Sequence, residues 1–173
     1  VREDKSVLDL LNADYTFVDE RLSKHYGIPN IYGSRFRRVT LGPEFDARRG
    51  LLGKGAWLST TSQATRTSPV TRGKTLLQTF FGVGPPDPPP NVPMIKASAQ
   101  DNTGSAKEPT MRERMMQHHE NPTCASCHNL FEPIGLALEN FDGIGSWRRE
   151  DAGQPIDVSG VLANGTKLDG VRS

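Results

Sequence analysis

The sequence predicts a mainly α-helical chain with long loops, a polyproline segment and a small β-hairpin at its C-terminal end. Three observations carry that prediction. Ser68-Pro69 and Thr110-x-x-Glu113 are two strong helix starts, a capping serine with proline in the first turn and a capping box. Six prolines between Pro85 and Pro93 hold the chain in an extended polyproline II rod. Val158–Leu162 and Thr166–Leu168 flank Asn164-Gly165, the turn pair of a tight hairpin.

From the N-terminus, Ser6 to Leu11 reads as a short apolar-rich turn. Asp14 then caps a helix in which Tyr15, Val18, Leu22 and Tyr26 recur at helical spacing. Gly27 and Pro29 end it and leave His25 in its last turn. Residues 35–41 form a short strand. Arg49 to Ser59 has a helical pattern weakened by Gly50, Gly53 and Gly55. The helix opened by Ser68 runs to about Phe81 and stops at Gly82. The proline run reads as a stiff spacer, with a Pro-rich recognition motif as the alternative, and residues 97–108 are small and polar. The capping box opens a helix through about His119, which Asn121-Pro122 breaks. Pro133 to Phe141 reads as a further helix with Ile134, Leu138 and Phe141 on one face.

Composition narrows the function classes. With 173 residues and 35% hydrophobic content, the chain suffices for one ordinary domain, or one domain plus pieces of its neighbours. A formal charge of +1 gives no footing for bulk nucleic-acid binding. No run of eighteen apolar residues is present to span a membrane. A start at Val1 with no signal-peptide pattern fits a segment of a longer protein.

The two cysteines of the chain lie in Cys124-Ala125-Ser126-Cys127-His128. Cys-x-x-Cys-His is the attachment signature of a c-type haem. Two thiols three positions apart can add to the vinyl groups on one porphyrin edge, and the next histidine can ligate the iron. Three other chemistries use the same residues. A zinc site needs four ligands, which His118 and His119 can complete only at an unfamiliar spacing. A thioredoxin-like pair needs a βαβ setting and leaves His128 without a role. A disulfide between residues three apart is strained and closes almost no loop. Ser68, His118 and the carboxylates have no hydrolytic spacing, and no phosphate-cradling glycine loop is present.

The residues around the motif extend the reading. Arg112-Glu-Arg, His118-His-Glu-Asn-Pro-Thr-Cys-Ala-Ser-Cys-His128 and Glu132-Pro-Ile-Gly-Leu-Ala-Leu-Glu-Asn-Phe-Asp142-Gly-Ile-Gly-Ser-Trp-Arg148 follow one another. Upstream stand Ala13-Asp-Tyr-Thr-Phe-Val, His25-Tyr-Gly-Ile28, Gly50-Leu-Leu-Gly53 and Thr65-Arg-Thr-Ser-Pro-Val-Thr-Arg-Gly-Lys74. Together they resemble the planctomycete-type cytochrome c domain proteins, the PSCyt/PSD multidomain family, over nearly the whole chain. The resemblance implies a cytochrome c-like helical haem domain and large, exported bacterial parent proteins. It divides the chain into the end of a preceding helical domain (1–30), a haem c-bearing domain (31–143, with 85–108 its Pro-rich and polar loop) and the start of a truncated C-terminal β-containing domain (144–173). Phe131 and Glu132 stand where related sequences often carry a methionine, so that loop offers no methionine ligand.

One covalent haem c is thus expected on Cys124 and Cys127, with His128 the proximal ligand. The candidates for the distal side are His118 or His25, with Met94 a weaker one and His119, Met111, Met115 and Met116 behind them. The expected iron is six-coordinate and low-spin. Arg66 and Arg72, with Arg148, are candidates to pair with the haem propionates. Phe131, Ile134 and Leu136 are candidate ring neighbours, as are Trp57, Phe141 and Trp147. The functional expectation is an electron carrier rather than a catalyst, in the periplasm or otherwise outside the cytoplasm. Its partner would be a redox protein or a neighbouring domain. The alternatives are a haem-dependent oxidoreductase with an open iron site and a scaffold subunit of a membrane-associated complex.

Overall fold

Alternation, not helical spacing, decides the first substantial element. A computed structural model describes residues 6–85, 108–120 and 122–173. After a single helical turn, α1 (Asp9–Asn12), Tyr15–Val18 form strand β1 with Thr16 and Val18 turned inward. The predicted helix from Asp14 is therefore corrected. Thr16 and Val18 are β-branched and suit a strand whose inner face is covered. The cap is Asp19, whose carboxylate accepts from Leu22 N–H at 2.8 Å and opens α2 (Glu20–Tyr26). Gly27, at φ 75°, closes α2 in the left-handed conformation a glycine adopts without strain. Strand β2 (Arg37–Thr40), inside the expected 35–41, pairs antiparallel with β1 in the register Tyr15↔Thr40 to Val18↔Arg37. Val18, Tyr26, Ile28 and Leu41 fill a first core between this hairpin and α2.

A 3-10 segment (Pro43–Arg48) and a short α3 (Gly55–Thr60) follow, so only the end of the expected 49–59 helix forms. Helix α4 (Pro69–Phe81) has the predicted bounds, with Ser68 Oγ accepting from Thr71 N–H and Gly82 at the C-cap. Helix α5 (Met111–His118) opens on the predicted capping box between Thr110 and Glu113. Most of the proline run, with Met94 and the polar stretch to residue 107, lies outside the described residues.

Helix α6 (Pro122–Leu136) departs most from expectation. It begins at Pro122, runs through the cysteine motif and carries Pro133 inside it. Pro133 opens no separate helix, and after Leu136 the chain tightens into i→i−3 bonds such as Glu139 N–H to Leu136 C=O at 3.0 Å. The last residues form two separate pairs: β3 (Glu150–Asp151) with β4 (Gln154–Pro155), then β5 (Ser159–Val161) with β6 (Lys167–Asp169), each pair antiparallel. The second pair is the predicted Asn-Gly hairpin. The first turns on Ala152 and Gly153, both at positive φ, as a primed two-residue turn requires. The architecture is therefore helices joined by small antiparallel hairpins, with more strand than a mainly helical chain.

Two glycines decide how α4 and α6 meet. A Cβ at Gly73 would lie 1.9 Å from the Phe131 carbonyl oxygen, and one at Gly135 would lie 1.9 Å from that of Pro69. The backbones touch, and the pairing of early α4 with late α6 makes the helices antiparallel. Beside this contact Arg72 is wholly buried. Its Nη1 donates to the carbonyls of Leu138 (2.9 Å) and Phe141 (2.8 Å), and its Nη2 to that of Asp142 (2.7 Å). Glu139 sits 3.3 Å from Nη1 and accepts from Thr67 Oγ1 and Arg148 Nη2, each at 2.8 Å. Burial pushes the Glu139 carboxyl upward, against the downward pull of Arg72, then Thr67 and Arg148. A second core of Leu58, Leu138 and Phe141 packs beside this network. Arg48 joins the two cores, lying 4.3 Å above the Tyr26 ring and 5.1 Å from that of Phe141.

Two outcomes follow for stability. Gly135→Ala gains about 1 kcal/mol of helix propensity but overpacks at a cost of about 3, so the urea-unfolding free energy should fall by about 2 kcal/mol. Arg72→Met takes one charge partner from buried Glu139 and the side-chain donor from the Leu138, Phe141 and Asp142 carbonyls, and a loss of about 3–5 kcal/mol is expected on the same measurement. A further outcome concerns pH and Lys54, whose Nζ lies 2.7 Å from the Arg48 carbonyl oxygen. Burial, then the Arg48 charge, lowers its pKa from 10.5 to about 8. The unfolded chain then binds more protons between those two values, so this group makes stability rise with pH across that window. In Lys54→Met the rise in urea midpoint from pH 8 to 10.5 should shrink.

Candidate functional site

Helical geometry brings the motif residues together. On α6, Cys124, Cys127, His128 and Phe131 occupy positions i, i+3, i+4 and i+7, which share one face. Both cysteines are free thiols of intermediate exposure, with no bond between them. The antiparallel crossing directs the C-terminal half of α4 toward this end of α6. There Leu76 and Leu77 are half-buried and Phe81 is 67% exposed.

His128 is held on several sides. Glu132, one turn further along α6 and buried, places Oε1 3.1 Å from His128 Nδ1. The ring centroid of Phe131 lies 5.1 Å from that of His128. The connection between α5 and α6 is short, so the end of α5 folds against the motif. His118 and His119 thereby bring their ring centroids to 4.7 and 5.5 Å from that of His128. Burial, then the neighbouring His128 and His119, lowers the His118 pKa. His119 Nε2 lies 2.7 Å from Glu132 Oε2 but off the line a hydrogen bond needs, and this buried nitrogen has no hydrogen-bond partner among the described residues. His119, His128 and Glu132 present ligand atoms all within 4.8 Å of one another, a donor set able to hold a metal ion.

The remaining sequence candidates divide. Phe131, a candidate ring neighbour, lies beside His128. Leu136 is buried and, with Met115, His119 and Glu132, lines a groove of about 190 Å³. Ile134 is half-buried on α6. His118 reaches the motif, but its 4.7 Å ring contact leaves no room for a flat macrocycle between it and His128. His25 is engaged elsewhere. Its Nε2 lies 2.9 Å from the Ile144 carbonyl oxygen and its Nδ1 3.3 Å from Ser146 Oγ, so it serves the 142–146 turn. Arg72, a candidate propionate partner, is buried, and its terminal nitrogens serve acceptors of the chain itself as a structural clamp. Arg148 belongs to the same network, bonded to Glu139 and to Asp151 at 2.8 Å. Arg66 donates to the Thr67 carbonyl at 3.0 Å, and its pKa is lowered by burial, then by Arg114. Trp57 packs on Phe80, and Phe141 on Trp147, at centroid distances of 5.8 and 5.1 Å.

Sequence reasoning missed Glu132 as a site residue and ranked His119 low. The signal for Glu132 was its place four residues after the histidine, on a helix that the reading began at Pro133.

A family model described as PSCyt3, protein of unknown function (DUF1588), matches residues 48–151. The chain belongs to the PSCyt3 family. A second model, PSD4, protein of unknown function (DUF1592), matches residues 1–28. Both are planctomycete cytochrome-domain families. No curated protein and no solved structure matches. The PSCyt3 segment contains the whole of α4, α5 and α6, and with them the histidine cluster. No described helix is long and apolar enough to cross a membrane.

The free thiols carry a direct expectation. In the folded protein without cofactor, both should react with Ellman's reagent before any denaturant is added. A pair that titrates only after unfolding would contradict their exposure.

Proposed function

We propose that this chain binds one covalent haem c through Cys124 and Cys127 and serves as an exported electron-transfer module of a larger protein. One observation carries the reading. The two thiols and His128 share a face of α6, and Glu132 engages Nδ1 of His128, which leaves Nε2 as the ring nitrogen free for iron. Haem c supplies a one-electron iron couple when bound. The chain's own residues do the rest. Cys124 and Cys127 fix the edge of the ring to α6, and His128 gives Nε2 to the metal. Phe131 supplies an apolar wall, and Leu76, Leu77 and Phe81 supply apolar surface that a porphyrin would cover. The glycine contact and the Arg72 clamp hold α6 in place, which suits a site that must change charge with little rearrangement.

Covalent attachment of this kind places the module outside the cytoplasm, in the periplasm or an equivalent compartment. The adjoining PSD4 match supports a neighbouring domain of the parent protein as partner, and a separate redox protein or a membrane-associated complex would meet it similarly. A second reading, an iron with an open position for oxygen or peroxide chemistry, is favoured by two placements. His25 serves the 142–146 turn, and His118 packs on His128 instead of across from it.

A pyridine haemochrome assay with intact mass tests the proposal on protein matured with the haem c attachment machinery. One haem per chain is expected, and Cys124→Ser with Cys127→Ser should abolish the covalent mass. A wild-type mass without haem overturns the reading. Rapid carbon monoxide binding by a high-spin resting iron would replace electron transfer with the open-iron reading.

A further inference from the structure

We propose that Glu132 is a positioning residue that fixes the tautomer of His128 and lowers the potential of the iron it binds. The inference about potential rests on the haem reading above, whereas the tautomer follows from the geometry alone.

An ionised carboxylate only accepts hydrogen bonds, so the ring nitrogen facing it must carry the proton. With Glu132 Oε1 at 3.1 Å from Nδ1, His128 is held as the Nδ1–H tautomer and its lone pair lies on Nε2. The arrangement is well fixed. Glu132 is only 3% exposed and lies one turn from His128 on the same helix, so no water competes freely for its oxygens. Its other oxygen faces His119 Nε2 at 2.7 Å without an aligned bond, which leaves Nδ1–H of His128 as its one hydrogen-bond donor among the described residues. Neighbouring Pro133 packs against the Gly160 backbone of β5, which further limits motion of this turn. The fixed pattern in this chain is thus Cys-x-x-Cys-His-x-x-x-Glu, with the glutamate as much part of the site as the thiols.

The chemical consequence has a sign. A carboxylate on Nδ1–H moves electron density into the ring and makes Nε2 a more basic ligand. A more basic ligand stabilises ferric over ferrous iron and so lowers the potential. Outer-shell partners of this kind shift metal affinity by about 10–100-fold. For a one-electron couple each factor of ten between the two oxidation states is about 59 mV.

Glu132→Gln and Glu132→Leu test this in two preparations of the same chain. Without haem, the ¹⁵N shifts of the His128 ring should report the Nδ1–H tautomer in the wild type and its loss in Glu132→Leu. With haem, Glu132→Gln should keep one haem per chain and raise the midpoint potential by about 59 mV or more, a tenfold shift. An unchanged tautomer in the leucine variant, or an unchanged potential in the haem-loaded glutamine variant, overturns the proposal. If the wild type takes up no haem, the haem reading falls by itself and the tautomer measurement still decides the role of Glu132.

Discussion

The buried guanidinium of Arg72 is the constraint on which the rest depends. Taking a charged group out of water costs several kcal/mol unless its donors are met. Here the two terminal nitrogens are met by three backbone carbonyls on residues 138–142, by Ser62 and by Glu139, while Nε has no partner among the described residues. Those carbonyls lie in the turns just past the end of α6. Arg72 therefore does two jobs with one side chain: it holds those turns together and ties them to α4. Position 73 must then be glycine, because the helix axes are drawn so close that no Cβ fits against the Phe131 carbonyl. Clamping one end of α6 leaves its other end to carry chemistry on a fixed frame.

The parts of the fold legible in the sequence are those written locally. Ser68-Pro69, the Thr110–Glu113 box, Gly27, Gly82 and Asn164-Gly165 each satisfy or terminate backbone groups within a few residues, so each could be read without tertiary knowledge. Tyr15–Val18 was not legible in that way. Apolar residues at 15, 18, 22 and 26 match a helix, but the first two belong to a strand, and the pairing that decides this comes from residues 37–40. Pro133 misled for a related reason. As a first-turn residue it is favourable, and only the close packing of α4 and β5 on this stretch explains why it sits inside a helix.

The site divides along the same line. Cys124, Cys127 and His128 are adjacent in sequence and needed no fold to be found. His119 becomes a site residue only when α5 folds back onto α6, and Glu132 only because α6 continues through the motif past Pro133. Arginine type alone could not separate a ligand partner from a clamp. Arg72 and Arg66 stand in the same sequence block, yet Arg72 is sealed beneath α6 while Arg66 lines a surface cavity with Asp142 and Gln63. Burial direction on a helix is a tertiary property, and a block of matching residues does not encode it in any single letter.

The competing uses of His128 can be weighed by what each leaves idle. A small ion held by His119, His128 and Glu132 uses three donors within 4.8 Å but gives no task to two free thiols on the same helix face. It also draws on a carboxylate that already orients the ring. Iron at Nε2 with both thiols attached engages the whole motif and leaves Glu132 on Nδ1, so the two nitrogens of one imidazole have separate and compatible roles. His119 Nε2, without a hydrogen-bond partner among the described residues, faces the Glu132 oxygen that His128 does not use. With haem bound as proposed, that division would make the carboxylate a tuning element and the thiols an anchor. It would also give a use to the buried polar structure that keeps α6 where it is.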